Sequence, residues 1–481
     1  MDRTSALDAA FLHLDTPTSA LHIASLGFFG GTAPSHDELC EALTRKLSRM
    51  PRLRQRLARV PFALGRPVWV DDEHFDLARH VHRVAVPSPG GTAELHEVVD
   101  RLLSEPLDHD APLWEDWVLE GLKGGAWALL TKVHHTMVDG IAGTDLLTTM
   151  MDDEPTPGWS PVLPWRPTPA PAGWRLAADA VQEGLALRTA ELGTLPRAIR
   201  ESIDHGLHHP RMSVRALRDT AHGLAGFARN AVPTTPSSLV GPIGRDRGYG
   251  WTEVDLATVL DIHARLGCTV NDLVLTAVAG AFRDLLLARG ETPARHAVRT
   301  LVPVSVRRPD ERGHLDNRVS AIVAELPVEL EEPRDRLLEM AIRMRDLKDS
   351  HEAQVGEEVT EIADALPPLP LAALLHVAFR LPHRNLTTVV TNVPGPTRRL
   401  YLAGRPLLAP YPYVPIADRL RTGIAVTNYE GRLLFGVTSD RESMPDAQVL
   451  LDGIDRGFAE LAELAGLATT EHAGSGEKVA R

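Results

Sequence analysis

The chain has 481 residues, enough for more than one hydrophobic core, and its mix of 43% hydrophobic and 24% charged side chains excludes wholesale disorder. Lys and Arg total 51 against 64 Asp and Glu, a formal charge of -13. With no zinc-finger spacing and no basic helical stripe, that balance argues against a nucleic-acid partner. Cys40 and Cys268 are the only cysteines, which excludes a disulfide-rich scaffold and a four-cysteine metal site; both read as small packed side chains.

The opening MDRTSALDAAFLHLD carries acids and no basic segment followed by a sustained apolar run, so no cleaved signal peptide is expected. A helix is predicted over 36–50, where Leu39, Leu43, Leu47 and Met50 share a face and Pro51 ends the run. Short strands follow at 67–72 and 80–86, then a helix at 93–105 and a buried strand at 125–133 that leads into His134 and His135. Gly140 and Gly143 permit a sharp change of direction into helical spacing. Prolines from Pro155 to Pro171 mark a connection, 174–230 regains helical character, and 233–250 is a turn-rich divider.

A second body begins near 251. Its helix at 271–289 is expected to be capped by Asn271 or Asp272 and stopped at Gly290. Strands are predicted at 297–307, 318–330, 386–393 and 422–440, the last turned at Tyr429-Glu430-Gly431, with a helix at 332–349. Strands and helices mixed in both halves predict an α/β fold. The expected division is 1–155, a crossover with helical connection at 156–250, 251–465, and a polar tail at 466–481. The most apolar stretch, 362–382, is interrupted by Pro367, Pro368, Pro370, His376 and Arg380, so it reads as a packed helix or a lipid-surface contact and not as a transmembrane span.

His134, His135, Asp139 and Gly140 form the strongest chemical cluster. On an extended strand the two imidazoles point to opposite faces, so one of them faces a given reacting group. A turn after Met137 would return the Asp139 carboxylate toward the strand end, where it could set a tautomer. The residues alone leave open a general base, a metal pair or a loop cap. No compact set of further ligands accompanies them, and neither a zincin helix motif nor a phosphate-binding GxxxxGK loop is present. Trp114 in Pro112-Leu113-Trp114 reads as packing beneath the histidine strand, and Arg307 as a solvated or structural ion-pair partner.

Taken in order, LDAAFLHLDTPTSALHIASL with Asp8, Phe11, Leu12 and His22, then PRLRQRL, PVWVDD, FDLARHV, LSEPLDHDAPLWEDWVLEGL, HHTMVDG, GPIGRDR, VNDLVLTAVAG, PVSVR, DNRVS and TNVPGP resemble the bacterial wax ester synthase/acyl-CoA:diacylglycerol acyltransferase family over about 4–460. The resemblance implies a two-domain, chloramphenicol-acetyltransferase-like fold of the coenzyme-A-dependent acyltransferases. It implies His135 as the general base in an interdomain channel, and His134, Asp139 and Gly140 as motif support or substrate positioning, with Asp139 an orienting or structural acid. Asn271 is placed near the channel for orienting substrate or stabilising charge, ahead of Asn392 in the proline-glycine turn.

The implied reaction is transfer of a fatty acyl group from acyl-CoA to diacylglycerol, giving triacylglycerol, or to a long-chain alcohol, giving a wax ester, with no tightly bound cofactor and no metal. A cytoplasmic location follows, with peripheral contact at the inner membrane or a lipid-droplet surface. The alternatives are a related acyltransferase using another or carrier-bound substrate, and a non-catalytic lipid-binding protein. Thr136, where the family commonly has alanine, and Ser238-Leu239-Val240 before GPIG depart from the pattern and bear on acceptor choice.

Overall fold

The computed structural model describes residues 2–137, 150–156, 165–182, 237–305, 319–349 and 386–467. Asp139, Gly140, Arg307, the 362–382 stretch, the 466–481 tail beyond 467 and most of 174–230 lie outside these described residues.

The histidine strand predicted at 125–133 is β6 (Trp127–His134), starting two residues later because Gly124 and Gly125 adopt φ of 83° and 76° in a turn. It is a central strand of a six-stranded sheet. β6 pairs antiparallel with β1 (His22–Phe29) on one side and β5 (Trp114–Glu120) on the other, and β4 (Val81–Ala85) runs parallel outside β5; β2 (Gln55–Ala58) and β3 (Val68–Asp71) form a separate antiparallel pair. Nearly every β6 side chain is buried because both faces of the sheet are covered. Leu129, Thr131 and Val133 line one face with Leu43 of helix α2 (His36–Leu47). On the other face Phe28 meets Trp251, and Trp251 stacks at 4.3 Å on His96 of helix α3 (Thr92–Ser104). The α2 helix predicted over 36–50 ends at Leu47; Ser35 caps it with Glu38 in a reciprocal box.

The free edge of β1 is completed from far along the chain. β12 (Arg405–Tyr413) pairs antiparallel with β1, and β11 (Tyr401–Leu402) with β12. The second six-stranded sheet runs β7 (Arg247–Asp255), β14 (Arg432–Asp440), β13 (Thr422–Tyr429), β10 (Thr388–Val393), β8 (Arg299–Ser305) and β9 (Val319–Glu325). Glu430 and Gly431, at φ of 42° and 75°, make the tight turn between β13 and β14, as Tyr429-Glu430-Gly431 predicted. Where β12 crosses to the first sheet it passes so close to β14 that a Cβ on Gly436 would lie 1.8 Å from the Pro412 carbonyl. Only glycine fits there.

The helix expected at 271–289 is Val270–Ala288, and Gly290 follows it at φ 71°. Its cap differs from expectation. Thr269 is the N-cap, its Oγ1 accepting from the Asp272 amide at 3.1 Å while the Asp272 carboxylate accepts from the Thr269 amide at 2.9 Å. Asn271 therefore sits inside the first turn; the reciprocal threonine-aspartate box satisfies two orphan donors, which a cap one or two positions later would leave unmet. The helix predicted at 332–349 is Pro333–Asp349. The two-domain α/β architecture stands as expected.

The sheets are tied together by hydrogen bonds that β7 donates to α3 and β12. Asp100 accepts from the Tyr249 amide at 2.8 Å and Ser104 from the Arg247 amide at 2.8 Å, while Tyr249 donates from its hydroxyl to Pro412 O at 3.0 Å.

Candidate functional site

The end of β6 is held from both sides. The His134 amide donates to Leu113 O at 2.9 Å and the His135 amide to Leu21 O at 3.1 Å, so strands β5 and β1 fix where the pair emerges. Trp114, 1% exposed, stacks on His80 and donates from Nε1 to Leu53 O at 2.8 Å, which anchors β5 beneath. Its packing role is the one the sequence suggested.

The two histidines are used differently. His134 is 1% exposed and both ring nitrogens are engaged. The Thr136 amide donates to its Nδ1 at 3.3 Å and the Thr136 hydroxyl lies 2.9 Å from the same atom. With Nδ1 accepting, the proton is on Nε2, which donates to Asp15 Oδ2 at 3.0 Å. The Thr136 departure from the family pattern thus supplies a hydroxyl to His134. His135 opens a single 3₁₀ turn (His135–Met137); it is half-buried, its ring centroid 4.4 Å from that of Phe11 in helix α1 (Ala6–Leu14).

Asp15 follows α1 and gathers three donors. Its Oδ2 meets His134 and, at 2.8 Å, His109 Nε2; its Oδ1 accepts from the Leu21 amide at 3.3 Å. Burial alone would raise this carboxyl, but the hydrogen bonds from His109 and His134 outweigh it and hold the group well below the usual carboxylate range. The ligand-capable atoms of Asp15, His109 and His134 lie within 4.8 Å of one another, so this is also the set among the described residues that could hold a cation. Sequence reasoning missed Asp15 and His109. They stand 119 and 25 positions from His134, and no local spacing relates them.

Across the strand pair from His134 is His22, fully buried, stacked at 5.7 Å on Tyr413, with no hydrogen-bond partner for Nε2 among the described residues. Burial, assisted by the nearby Lys132 charge, pushes its pKa well down, so it is neutral. Lys132 on the same face donates to Glu105 O at 2.7 Å.

Asn271 lies half-buried at the start of the Val270–Ala288 helix, and no hydrogen bond joins it to the histidine cluster among the described residues. Asn392 is in β10; beside it a Cβ on Gly395 would lie 1.8 Å from Asn428 O, and the Gly395 amide donates to Asn428 Oδ1 at 3.0 Å. The proline-glycine segment is thus a close-approach turn, with Asn428 its polar anchor.

Comparison with known proteins agrees with this architecture. A probable diacylglycerol O-acyltransferase of Mycobacterium tuberculosis (strain ATCC 25618 / H37Rv) is 37% identical over 466 residues, 96% of each chain. A putative diacylglycerol O-acyltransferase of the same strain is 33% identical over 96% of this chain and 90% of its own. The structure of a wax ester synthase/diacylglycerol acyltransferase from Marinobacter aquaeolei VT8 superposes with a TM-score of 0.65 at 26% identity, covering 97% of this chain and 100% of that one. A condensation domain of the calcium-dependent antibiotic synthetase, at 17% identity and a TM-score of 0.55 over 98% of each chain, shares the fold. The wax ester synthase/diacylglycerol acyltransferase catalytic-domain model matches residues 4–274 and the corresponding C-terminal-domain model 315–462, and the chain belongs to the wax ester synthase/diacylglycerol acyltransferase family.

Proposed function

We propose that the protein is an O-acyltransferase that moves a fatty acyl group from acyl-CoA to a hydrophobic alcohol, making triacylglycerol from diacylglycerol and a wax ester from a long-chain alcohol. The observation that carries this reading is the full commitment of His134. Buried at the end of β6, it has both ring nitrogens held by Thr136 and Asp15, which makes it a support residue, and in this reading the proton-transfer role falls to the second histidine of the motif, His135. An alcohol is a weak nucleophile until its proton is removed during attack. In this reading His135 takes that proton as the alcohol oxygen bonds to the thioester carbonyl carbon. The carbon–sulfur bond then breaks, and the imidazolium returns the proton to the departing coenzyme A thiolate. The products are an ester and free coenzyme A, with no covalent acyl-enzyme.

Asp139 serves as the orienting or structural acid and Gly140 as motif support, with Asn271 favouring the developing negative oxygen. Acyl-CoA acts as a donor substrate and not as a resident cofactor. No helix among the described residues is long and apolar enough to cross a membrane. In this reading diacylglycerol is reached by peripheral contact with an inner-membrane or lipid-droplet surface. The test is a mass-spectrometric product assay crossing several acyl-CoA lengths with diacylglycerol and long-chain alcohols. Ester accumulating in step with free coenzyme A is the expected result. Lipid binding with no ester across the whole panel would overturn the reading.

A further inference from the structure

On the α2 side of the first sheet, next to the histidine row, lies a cavity of about 80 Å³ whose walls include Ile23, Leu43, Val133, Met150, Met151 and Leu402. The walls are fixed. Lys46 of α2 donates to Met151 O at 2.7 Å and pairs with Asp152, and Asp152 exchanges backbone hydrogen bonds of 2.7 and 2.8 Å with Tyr401. The space is mostly hydrocarbon, yet a polar row crosses it: Ser25 of β1, Thr131 of β6 and Asp116 of β5 are direct cross-strand neighbours.

Asp116 is 1% exposed, and its Oδ1 accepts from the Thr131 hydroxyl at 2.6 Å. Among the described residues no other donor reaches its side chain. Burial raises this carboxyl to about 6 against the hydrogen bond from Thr131. Near neutral pH it therefore exchanges between two forms, one accepting and one also donating. A hydroxyl group serves both forms, because it can donate and accept; a plain hydrocarbon serves neither. The cavity reaches Val133, two positions before His135, and its polar row is four positions before His135, roughly 14 Å along the strand. That distance lies beyond a short acyl group and within a fatty chain.

We propose that this cavity is a tail pocket for the acyl chain of the donor, and that Asp116, with Ser25 and Thr131, selects chains carrying a hydroxyl part-way along their length over plain hydrocarbon chains. The proposal deepens the acyltransferase reading and rests on it, since the acyl carbonyl is taken to sit at His135. Asp116 is a specificity residue and takes no part in the bond changes.

The test uses the full chain, palmitoyl-CoA and a set of hydroxypalmitoyl-CoA donors differing in hydroxyl position. Calorimetric Kd and kcat/KM for ester formation are measured on wild type, Asp116→Leu and Asp116→Asn. At one hydroxyl position the wild type should favour the hydroxylated donor tenfold or more. Asp116→Leu should lose that preference and gain on palmitoyl-CoA, with Asp116→Asn between. The same ratio in wild type and Asp116→Leu, or no favoured position, overturns the proposal. If binding preference follows Asp116 but no donor yields ester, the pocket stands and the acyltransferase reading falls. Should Asp116→Leu fail to fold, Leu402→Trp decides: filling the cavity must weaken hydroxypalmitoyl-CoA binding and spare butyryl-CoA, and unchanged binding of both overturns the proposal.

Discussion

His134 Nε2 lies 3.0 Å from Asp15 Oδ2, joining the end of the histidine strand to the end of the first helix across 119 positions of sequence. Because the same carboxylate also holds His109 and the Leu21 amide, and Leu21 O receives the His135 amide, Asp15 stands one link from the proposed base.

Replacing Asp15 by Ala should loosen that strand end. Loss of charge-assisted hydrogen bonds at a buried carboxylate predicts a stability drop of about 1–3 kcal/mol. Misplacing His135 should lower kcat by roughly tenfold to a hundredfold, with a smaller change in KM. Urea denaturation and steady-state ester formation measure the two together, and unchanged kcat in a folded variant would remove Asp15 from the positioning of the site.

Acid sensitivity should come in two stages. The Asp15 carboxyl is depressed in the folded state, so its contribution is complete above the unfolded carboxylate pKa of about 4 and is lost as pH falls below that. His22 is buried and neutral with a lowered pKa, so unfolding lets it take a proton once pH falls below about 6.5, and stability declines from there. His22→Phe should flatten the slope of urea midpoint against pH between about 7 and 5, and Asp15→Asn the slope below about 4. Slopes identical to wild type would contradict these assignments.

Asp116 has the opposite sign. Its folded pKa of about 6 exceeds the ordinary aspartate value of 3.8, so the folded state holds the proton more tightly and stability is lost as pH rises from about 3.8 through 6. A shift of that size costs on the order of 3 kcal/mol once the group is ionised. Asp116→Asn should therefore melt above wild type at pH 8, with the gap roughly halved at pH 5 and closing only below about pH 4. A constant gap across that range would mean that the buried charge is not the cause.

Much of this was legible in sequence because it is local. The amphipathic spacing of Leu39, Leu43 and Leu47, the apolar run ending at His134 and the Glu430-Gly431 turn each declare themselves within a few residues, and the structure places α2, β6 and the β13–β14 hairpin accordingly. Motif order carried the family. What stayed hidden is set by partner choice across the chain. Nothing in Arg405–Tyr413 indicates that it will pair with His22–Phe29, and no spacing announces that Asp15, His109 and His134 will converge. The cap of the Val270–Ala288 helix was misassigned for a smaller reason: Asn271 and Asp272 are both good caps, and the reciprocal box at Thr269 outweighs either alone.

The most direct test of the central claim is turnover by His135→Ala in a protein shown by circular dichroism to be folded. Loss of the general base predicts ester formation down by about a hundredfold to ten-thousandfold at saturating acyl-CoA and alcohol. Substrate binding should be retained. A folded His135→Ala protein that forms ester at a rate near that of the wild type would contradict the account.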